Sequence, residues 1–270
     1  MRQVFVEPLI SIYSWFNNWK AFRLPIVRSL FVHSYFFYKT RFEDPFAQLI
    51  STRPELFTRG HLLDIGANIG YTAVVFASAL KGGDKVFAFE PERENFDRLV
   101  ENLKRFGVKD QVVASCVAVG AEVGSVDIWV NRHHPGDHRT VTAAFRSRIE
   151  EQSSIRKVPI VSVDSFVTSK HLLNQIGFIK IDIQGYELEA CRGMEKTLAA
   201  NPRATVAVEY APHQMVELGF SPSALIDFFI ERGFNIYELQ RGGRLKSLSR
   251  GDLSVEADSW TNLLCSREQL

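Results

Sequence analysis

The sequence predicts an α/β fold, a Rossmann-like, mostly parallel sheet with helices on both faces and an N-terminal helical extension. Three observations predict it. From residue 61 onward, short runs of β-branched and aromatic residues alternate with helical patterns, the signature of βαβ units. The first run ends in a glycine turn that opens a helix, LLDIGANIGYTAVVFA. Of 270 residues, 46% are apolar and 23% charged, a balance that supplies a sizeable core and excludes wholesale disorder.

The chain divides into an extension, residues 1–58, and a sheet domain, residues 59–270. Residues 1–42 carry Arg2, Lys20, Arg23, Arg28, Lys39 and Arg41 against the single acid Glu7, among many rings. Trp15, Phe16, Trp19 and Phe22 beside basic residues fit a helix resting on an anionic membrane surface. They equally fit a cap on the sheet or a contact in a homodimer. In the sheet domain, HLLDI is the first strand, followed by a helix from about Ile69. KVFAFE, a helix through RLVENLKRF, QVVASCVAV and VGSVDIWV come next. Residues 131–157 are polar and are expected to form a loop or lid. Strands VPIVSV and FIKIDI, a helix from about Tyr186, strand TVAVEY, a helix through ALIDFFIERG, and strands FNIYELQ and TNLLCSRE complete the chain.

Composition narrows the function. Thirty-two Lys and Arg against 31 Asp and Glu leave a formal charge of +1, so no global field points to nucleic acid as a partner. There is also no NPPY-type segment for a flipped base. Cys116, Cys191 and Cys265 form no CxxC pair, which fits a reducing, cytoplasmic setting better than a disulfide scaffold or zinc ribbon. The N-terminus lacks a continuous apolar h-region, and no run reaches ~18 apolar residues, so neither a signal peptide nor a spanning helix is expected.

The glycine turn carries the functional argument. Gly66 permits a tight turn, and Gly70 is expected to let backbone approach a ligand where a Cβ would collide. The helix amides that follow favour a carboxylate or phosphate. Nicotinamide binders read GxGxxG, whereas this loop reads DxGxxxG, and an acid at the strand end would repel pyrophosphate. The acid suits a ligand bearing an ammonium and a sulfonium, which is S-adenosylmethionine, with Asp64 accepting from its amino group directly or through water. Twenty residues past Gly70, Glu90 ends the second strand, where a carboxylate accepts from both ribose hydroxyls.

With these residues in place, the chain resembles a class I S-adenosylmethionine-dependent methyltransferase of the FkbM type, over roughly residues 55 to 240. The stretches that carry the resemblance are LLDIGANIGYTA, FAFEPERENFDRLVENL, VAVGAEVGSVDIWV and FIKIDIQGYELEACRGM. The resemblance implies a sheet in order 3-2-1-4-5-7-6 with strand 7 antiparallel, and O-methylation of a small-molecule, sugar or lipid-linked acceptor. It assigns Asp64, Gly66, Asn68 and Gly70 to the cofactor loop, Tyr71 and Thr72 to the helix start, and Glu90 to the ribose. Asn95 is near the cofactor and Asn102 structural, while Ala118 and Val119 border the adenine. The fourth-strand signature, approximately KIDVEGAE, here reads Lys180 to Glu187 as KIDIQGYE. Gln184 replaces an acid, and Tyr186 replaces a small residue and is expected to shape the acceptor pocket.

Methyl transfer to an alcohol needs a base. Asp182, between cofactor and acceptor, is the first candidate, and His213, in the loop after VAVEY, the second. Glu187 and Glu209 are expected to line the cavity, or else to cap a helix or pair with Lys180. Only Asp182 fits the ligand set of magnesium-dependent relatives, so no metal is expected. NRHHPGDHRT concentrates His133, His134, Asp137, His138 and Arg139, and is expected to close over the site and exclude water. Arg139 and Arg146 would then grip an anionic group on the acceptor, with His138 nearby. Two other readings fit the same scaffold: a nicotinamide-dependent oxidoreductase, and a non-catalytic module that docks through the basic arm.

Overall fold

The computed structural model describes residues 25–131, 134, 136–149, 152–252 and 260–270. Trp15, Phe16, Trp19, Phe22 and His133 therefore lie outside the described residues. The chain forms two units, Met1–Asp44 and Pro45–Leu270, so the boundary falls earlier than the expected 58/59.

In the first unit, α1 (Pro25–Tyr38) runs into a π-helical turn, Lys39–Glu43. Thr40 caps that junction by donating its hydroxyl to the Phe36 carbonyl at 2.8 Å. The second unit opens with α2 (Pro45–Thr52) and continues β1 (His61–Ile65), α3 (Tyr71–Ala77), β2 (Val86–Phe89), α4 (Arg93–Arg105) and β3 (Val112–Ser115). Then come β4 (Ala118–Val119), β5 (Gly124–Trp129), β6 (Arg139–Thr140), α5 (Ala143–Arg146), β7 (Ile155–Val161), α6 (Val163–Ser169) and β8 (Ile176–Ile181). The chain finishes with α7 (Glu187–Arg192), α8 (Glu195–Ala200), β9 (Thr205–Tyr210), α9 (Pro212–Glu217), α10 (Pro222–Ile230), β10 (Asn235–Leu239), β11 (Leu245–Leu248) and β12 (Thr261–Ser266).

The main sheet has eight strands in the order β11-β10-β12-β9-β8-β1-β2-β3. From β9 to β3 the pairs are parallel, and β12 runs antiparallel between β9 and β10. The period of two along β1 explains its double burial. Leu63 and Ile65 join Phe89, Ile179 and Val206 in the core on one face, while Leu62 joins Phe76, Ala88 and Phe178 on the other. Phe57 stacks on Phe178 at 4.5 Å in that second core. Asp64 shares the face of Leu62 and stands in register with Lys180, so the pairing that builds the sheet also pairs the charges.

Three local expectations need correction. The polar stretch 131–157 is no featureless loop: with β5, it supplies β6 and the first three residues of β7 to a separate sheet, ordered β4-β7-β5-β6. Strand β3 ends at Ser115, its last partner on β2 being Phe89, and Ala118 and Val119 form β4 of that second sheet, paired with Ile160 and Val161. His213 lies in α9, behind Pro212 at the first turn, and not in a loop.

Candidate active site

Three loops after β1, β2 and β8 carry the site. After β1, Gly66 (φ 81°), Asn68 (φ 48°) and Gly70 (φ 85°) are left-handed. A Cβ on Gly66 would lie 1.9 Å from the Asp182 carbonyl oxygen, and one on Gly70 would lie 3.1 Å from Leu99 Cγ. The glycines therefore let the loops after β1 and β8, and α4, close on one another. Asn102 fixes the loop from α4 by donating Nδ2 to the Ile69 carbonyl at 2.8 Å. Tyr71 begins α3 and is buried, with Thr72 beside it half-buried.

After β2, buried Glu90 accepts the Asn68 N–H on Oε2 and the Glu92 N–H on Oε1, both at 2.9 Å. Burial pushes its carboxyl up to about 7, against the pull of those two amides. Each oxygen keeps a lone pair for a further donor, so the carboxylate fits a vicinal diol of a nucleoside. Glu92 caps α4 by accepting from the Asn95 N–H at 2.7 Å, and Asn95 is itself buried. Ala118 and Val119, paired as β4, do not end β3, and it is the Ser115 carbonyl that accepts from the Glu90 N–H at 3.1 Å.

After β8 the geometry turns on carboxyl groups. Lys180 Nζ lies 3.2 Å from Asp182 Oδ2 and 3.7 Å from Asp64 Oδ1. Burial alone would lower the Lys180 pKa, but Asp182 and Asp64 outweigh it and hold the ammonium charged. Asp64, which the sequence offered to the cofactor amino group, is wholly buried and faces Lys180. Asp182 is 32% exposed. Gln184, in a left-handed conformation (φ 56°), donates Nε2 to Asp182 Oδ1 at 2.9 Å and to Glu209 Oε2 at 3.2 Å. Desolvation, then the neighbouring Asp182 charge, lifts the Glu209 carboxyl well above its usual range.

The remaining candidates fall elsewhere. Glu187 is fully buried, and its Oε1 accepts the N–H groups of Ile183 at 3.0 Å and Gly185 at 3.1 Å. It braces the turn that presents Gln184. His213 is exposed and faces Glu217 one turn on, at 3.7 Å, which leaves it a helix-surface pair. Tyr186 packs edge-on against Phe220 at 5.7 Å and belongs to a small core with Phe145, Ile149 and Leu218. Arg139 donates Nε to Asp137 at 2.7 Å and also pairs with Glu217, while Arg146 pairs with Asp127 at 2.6 Å. Both guanidinium groups are thus engaged within the fold, where the sequence offered them to an acceptor. His138 Nδ1 accepts from the Asn131 N–H at 3.1 Å, and burial lowers its pKa. Gly136 of the same segment approaches the cofactor loop, since a Cβ there would lie 3.5 Å from Asn68 Nδ2. No group of three or more His, Cys, Asp or Glu able to hold a metal occurs among the described residues.

Two contributors were missed. Gln214, which donates Nε2 to Gln184 Oε1 at 2.9 Å, and Glu217, which binds Arg139, sit on α9 with no motif to mark them. Only the helical spacing of the two toward one end of the sheet would have signalled them.

The Methyltransferase FkbM domain model matches residues 64–236, which span the cofactor loop, Glu90 and the whole carboxyl cluster. The chain belongs to the FkbM methyltransferase family. A methyltransferase domain over this stretch sets aside the nicotinamide alternative. Hexuronic acid methyltransferase AglP of Haloferax volcanii is 27% identical over 137 residues, 51% of this chain and 51% of that protein. The chain thus spans about half the length of this curated relative. Among solved structures, a methyltransferase FkbM from Methylobacillus flagellatus is 14% identical with a TM-score of 0.47, over 77% of this chain and 44% of that one. An O-methyltransferase from Bacillus cereus in complex with SAH is 14% identical with a TM-score of 0.46, over 88% and 87% of the two chains. In this FkbM domain no described helix is long and apolar enough to cross a membrane.

Proposed function

We propose that this domain methylates a hydroxyl of a polyhydroxylated acceptor, a sugar or a small or lipid-linked molecule carrying one. The observation that carries the reading is the part-exposed Asp182 carboxylate, linked through Gln184 to Glu209, on a backbone packed against a cofactor loop already joined to Glu90. Bound S-adenosylmethionine supplies an electrophilic methyl group on a sulfonium, whose S–C bonding electrons stay on sulfur. Glu90 holds the ribose hydroxyls. Asp64 and Asp182, only partly offset by Lys180, give that side of the site the negative character that an ammonium and a sulfonium need. An alcohol is too weak an acid to attack unaided, so its proton passes to a base as the new O–C bond forms. Asp182 is the group open to receive it. The segment around Gly136 lies close to Asn68, and a covered site favours a reaction that neutralises charge. A sugar acceptor is supported by the Haloferax relative, named as a hexuronic acid methyltransferase.

Calorimetry with S-adenosylhomocysteine, followed by methyl-group transfer from radiolabelled S-adenosylmethionine to a panel of neutral and uronic glycosides, tests the proposal. Saturable binding that Glu90→Ala abolishes, with label on an acceptor oxygen, is the expected result. Well-folded protein that takes up neither compound would overturn it.

A further inference from the structure

The residues between Asp182 and Glu209 are not those of a passive loop. Two carboxyls reached by one amide nitrogen stand close together and cannot both keep a full negative charge cheaply, and something must hold them there. Divalent cations commonly do this. Here the place is taken by an amide: Gln184 Nε2 reaches Asp182 Oδ1 at 2.9 Å and Glu209 Oε2 at 3.2 Å, spending its two N–H bonds on the two groups. Its own oxygen is fixed, because Gln214 Nε2 donates to it at 2.9 Å, so the amide cannot turn its acceptor toward the carboxyls without losing a bond. The backbone is equally committed. Gln184 sits at φ 56°, Gly185 follows at φ 99°, and a Cβ on Gly185 would lie 2.7 Å from the Gln214 carbonyl oxygen. Glu187 clasps the same turn through Ile183 and Gly185. The other oxygen of Asp182 faces Lys180 at 3.2 Å.

We propose that Gln184 is a positioning residue for methyl transfer: aimed by Gln214, its side-chain amide clamps Asp182 to Glu209 and makes the two carboxyls one base. The use of that base rests on the function proposed above. In the step it serves, the acceptor O–H bond breaks, its electron pair bonds to the methyl carbon, and the proton goes to the Asp182–Glu209 pair. The pair returns that proton to water after the product leaves. Burial and the neighbouring Asp182 charge push the Glu209 carboxyl well above the usual range, while Asp182, facing Lys180, is the more open of the two.

The test needs no acceptor. Full-length protein labelled with ¹³C at Asp and Glu side-chain carboxyls is titrated by NMR, with the two resonances assigned through Asp182→Asn and Glu209→Gln. Gln184→Glu keeps the shape and removes both donors but adds a charge, whereas Gln214→Ala adds none and removes only the aim, so it separates loss of the clamp from repulsion. Loss of donors and the added carboxyl both disfavour the ionised form, so the pair is expected to titrate about one pH unit or more higher in Gln184→Glu. A smaller shift in the same direction is expected in Gln214→Ala, which touches neither carboxyl. S-adenosylhomocysteine affinity, read in parallel by calorimetry, should stay within about threefold of wild type. Unchanged titration in both variants overturns the clamp, as does wild-type protein whose two carboxyls titrate independently. If Gln184→Glu does not fold, Gln214→Ala decides alone. Loss of S-adenosylhomocysteine binding by wild-type protein would instead fail the functional reading and leave the titration result standing.

Discussion

The Asn68 N–H donates to Glu90 Oε2 at 2.9 Å, so the cofactor loop and the end of β2 are joined before any ligand arrives. Burial holds the Glu90 carboxyl up to about 7, while ribose hydroxyls donate best to the ionised form. Binding therefore competes with protonation. Affinity for S-adenosylhomocysteine is expected to rise with pH through the neutral range, approaching about tenfold per unit well below 7, and to level off above it. Glu90→Gln should bind weakly with a much flatter profile. Calorimetry across pH 5.5 to 8.5 reads both, and an equal slope in the variant would contradict the assignment.

Glu187 supplies a stability prediction of definite sign. Burial raises its carboxyl to about 7 from an ordinary value near 4.5. A raised folded-state pKa means that stability present below the unfolded value is lost as pH climbs through the folded one. Wild-type protein should thus become easier to unfold between pH 5 and 8. Glu187→Gln keeps an oxygen for the Ile183 and Gly185 amides and cannot ionise, so urea midpoints at pH 5 and pH 8 should move closer together. Glu187→Ala strands both amides and should cost about 2 to 4 kcal/mol even at pH 5.

Gly66 and Gly83 have nearly the same backbone, φ 81° and φ 87°, and opposite surroundings. A Cβ on Gly66 meets the Asp182 carbonyl oxygen at 1.9 Å, whereas nothing lies within 4 Å of one on Gly83. Gly83→Ala therefore bears only the left-handed penalty, about 1 to 2 kcal/mol. Gly66→Ala adds a collision between two backbones and should either prevent folding or cost more than about 4 kcal/mol by urea denaturation. Similar losses at the two positions would mean that the loops after β1 and β8 can part.

That contrast also marks how far the sequence reaches. Glycine spacing and the acids at strand ends are local signals, so the cofactor loop, Glu90 and Asp182 were legible in the chain itself, and so was the α/β alternation. What Gly70 packs against was not, because Leu99 arrives from α4 and no pattern near residue 70 announces it. Asp64 was read from its place at the strand end and Glu187 from the fourth-strand signature, neither of which shows what the carboxyl touches. Asp64 faces Lys180, and Glu187 braces a turn. The second sheet escaped notice since β4 and β6 are two residues each, too short to show a period. Arg139 was misassigned for a related reason: its partner Glu217 lies 78 positions away.

The Arg139–Glu217 pair yields the last prediction. Glu217 joins Arg139 and, at 3.1 Å, Arg148, and so ties the segment that includes Gly136 to α9. That segment reaches Asn68 at its other side, where a Cβ on Gly136 would stand 3.5 Å from Nδ2. If it covers the cofactor, cutting one tie should loosen the cover without touching the base or the ribose acid. Glu217→Gln keeps the side-chain length and removes the charge that both arginines face. Charge-assisted hydrogen bonds contribute about 1.5 to 3 kcal/mol, so amides of residues 136–141 should exchange with solvent deuterium roughly tenfold faster or more in the variant. S-adenosylhomocysteine should slow that exchange in wild-type protein and less so in Glu217→Gln, while Asp127, bound to Arg146 at 2.6 Å, still holds the neighbouring helix. Exchange that ignores both the substitution and the ligand would show that the segment is fixed by β6 alone and plays no part in covering the site.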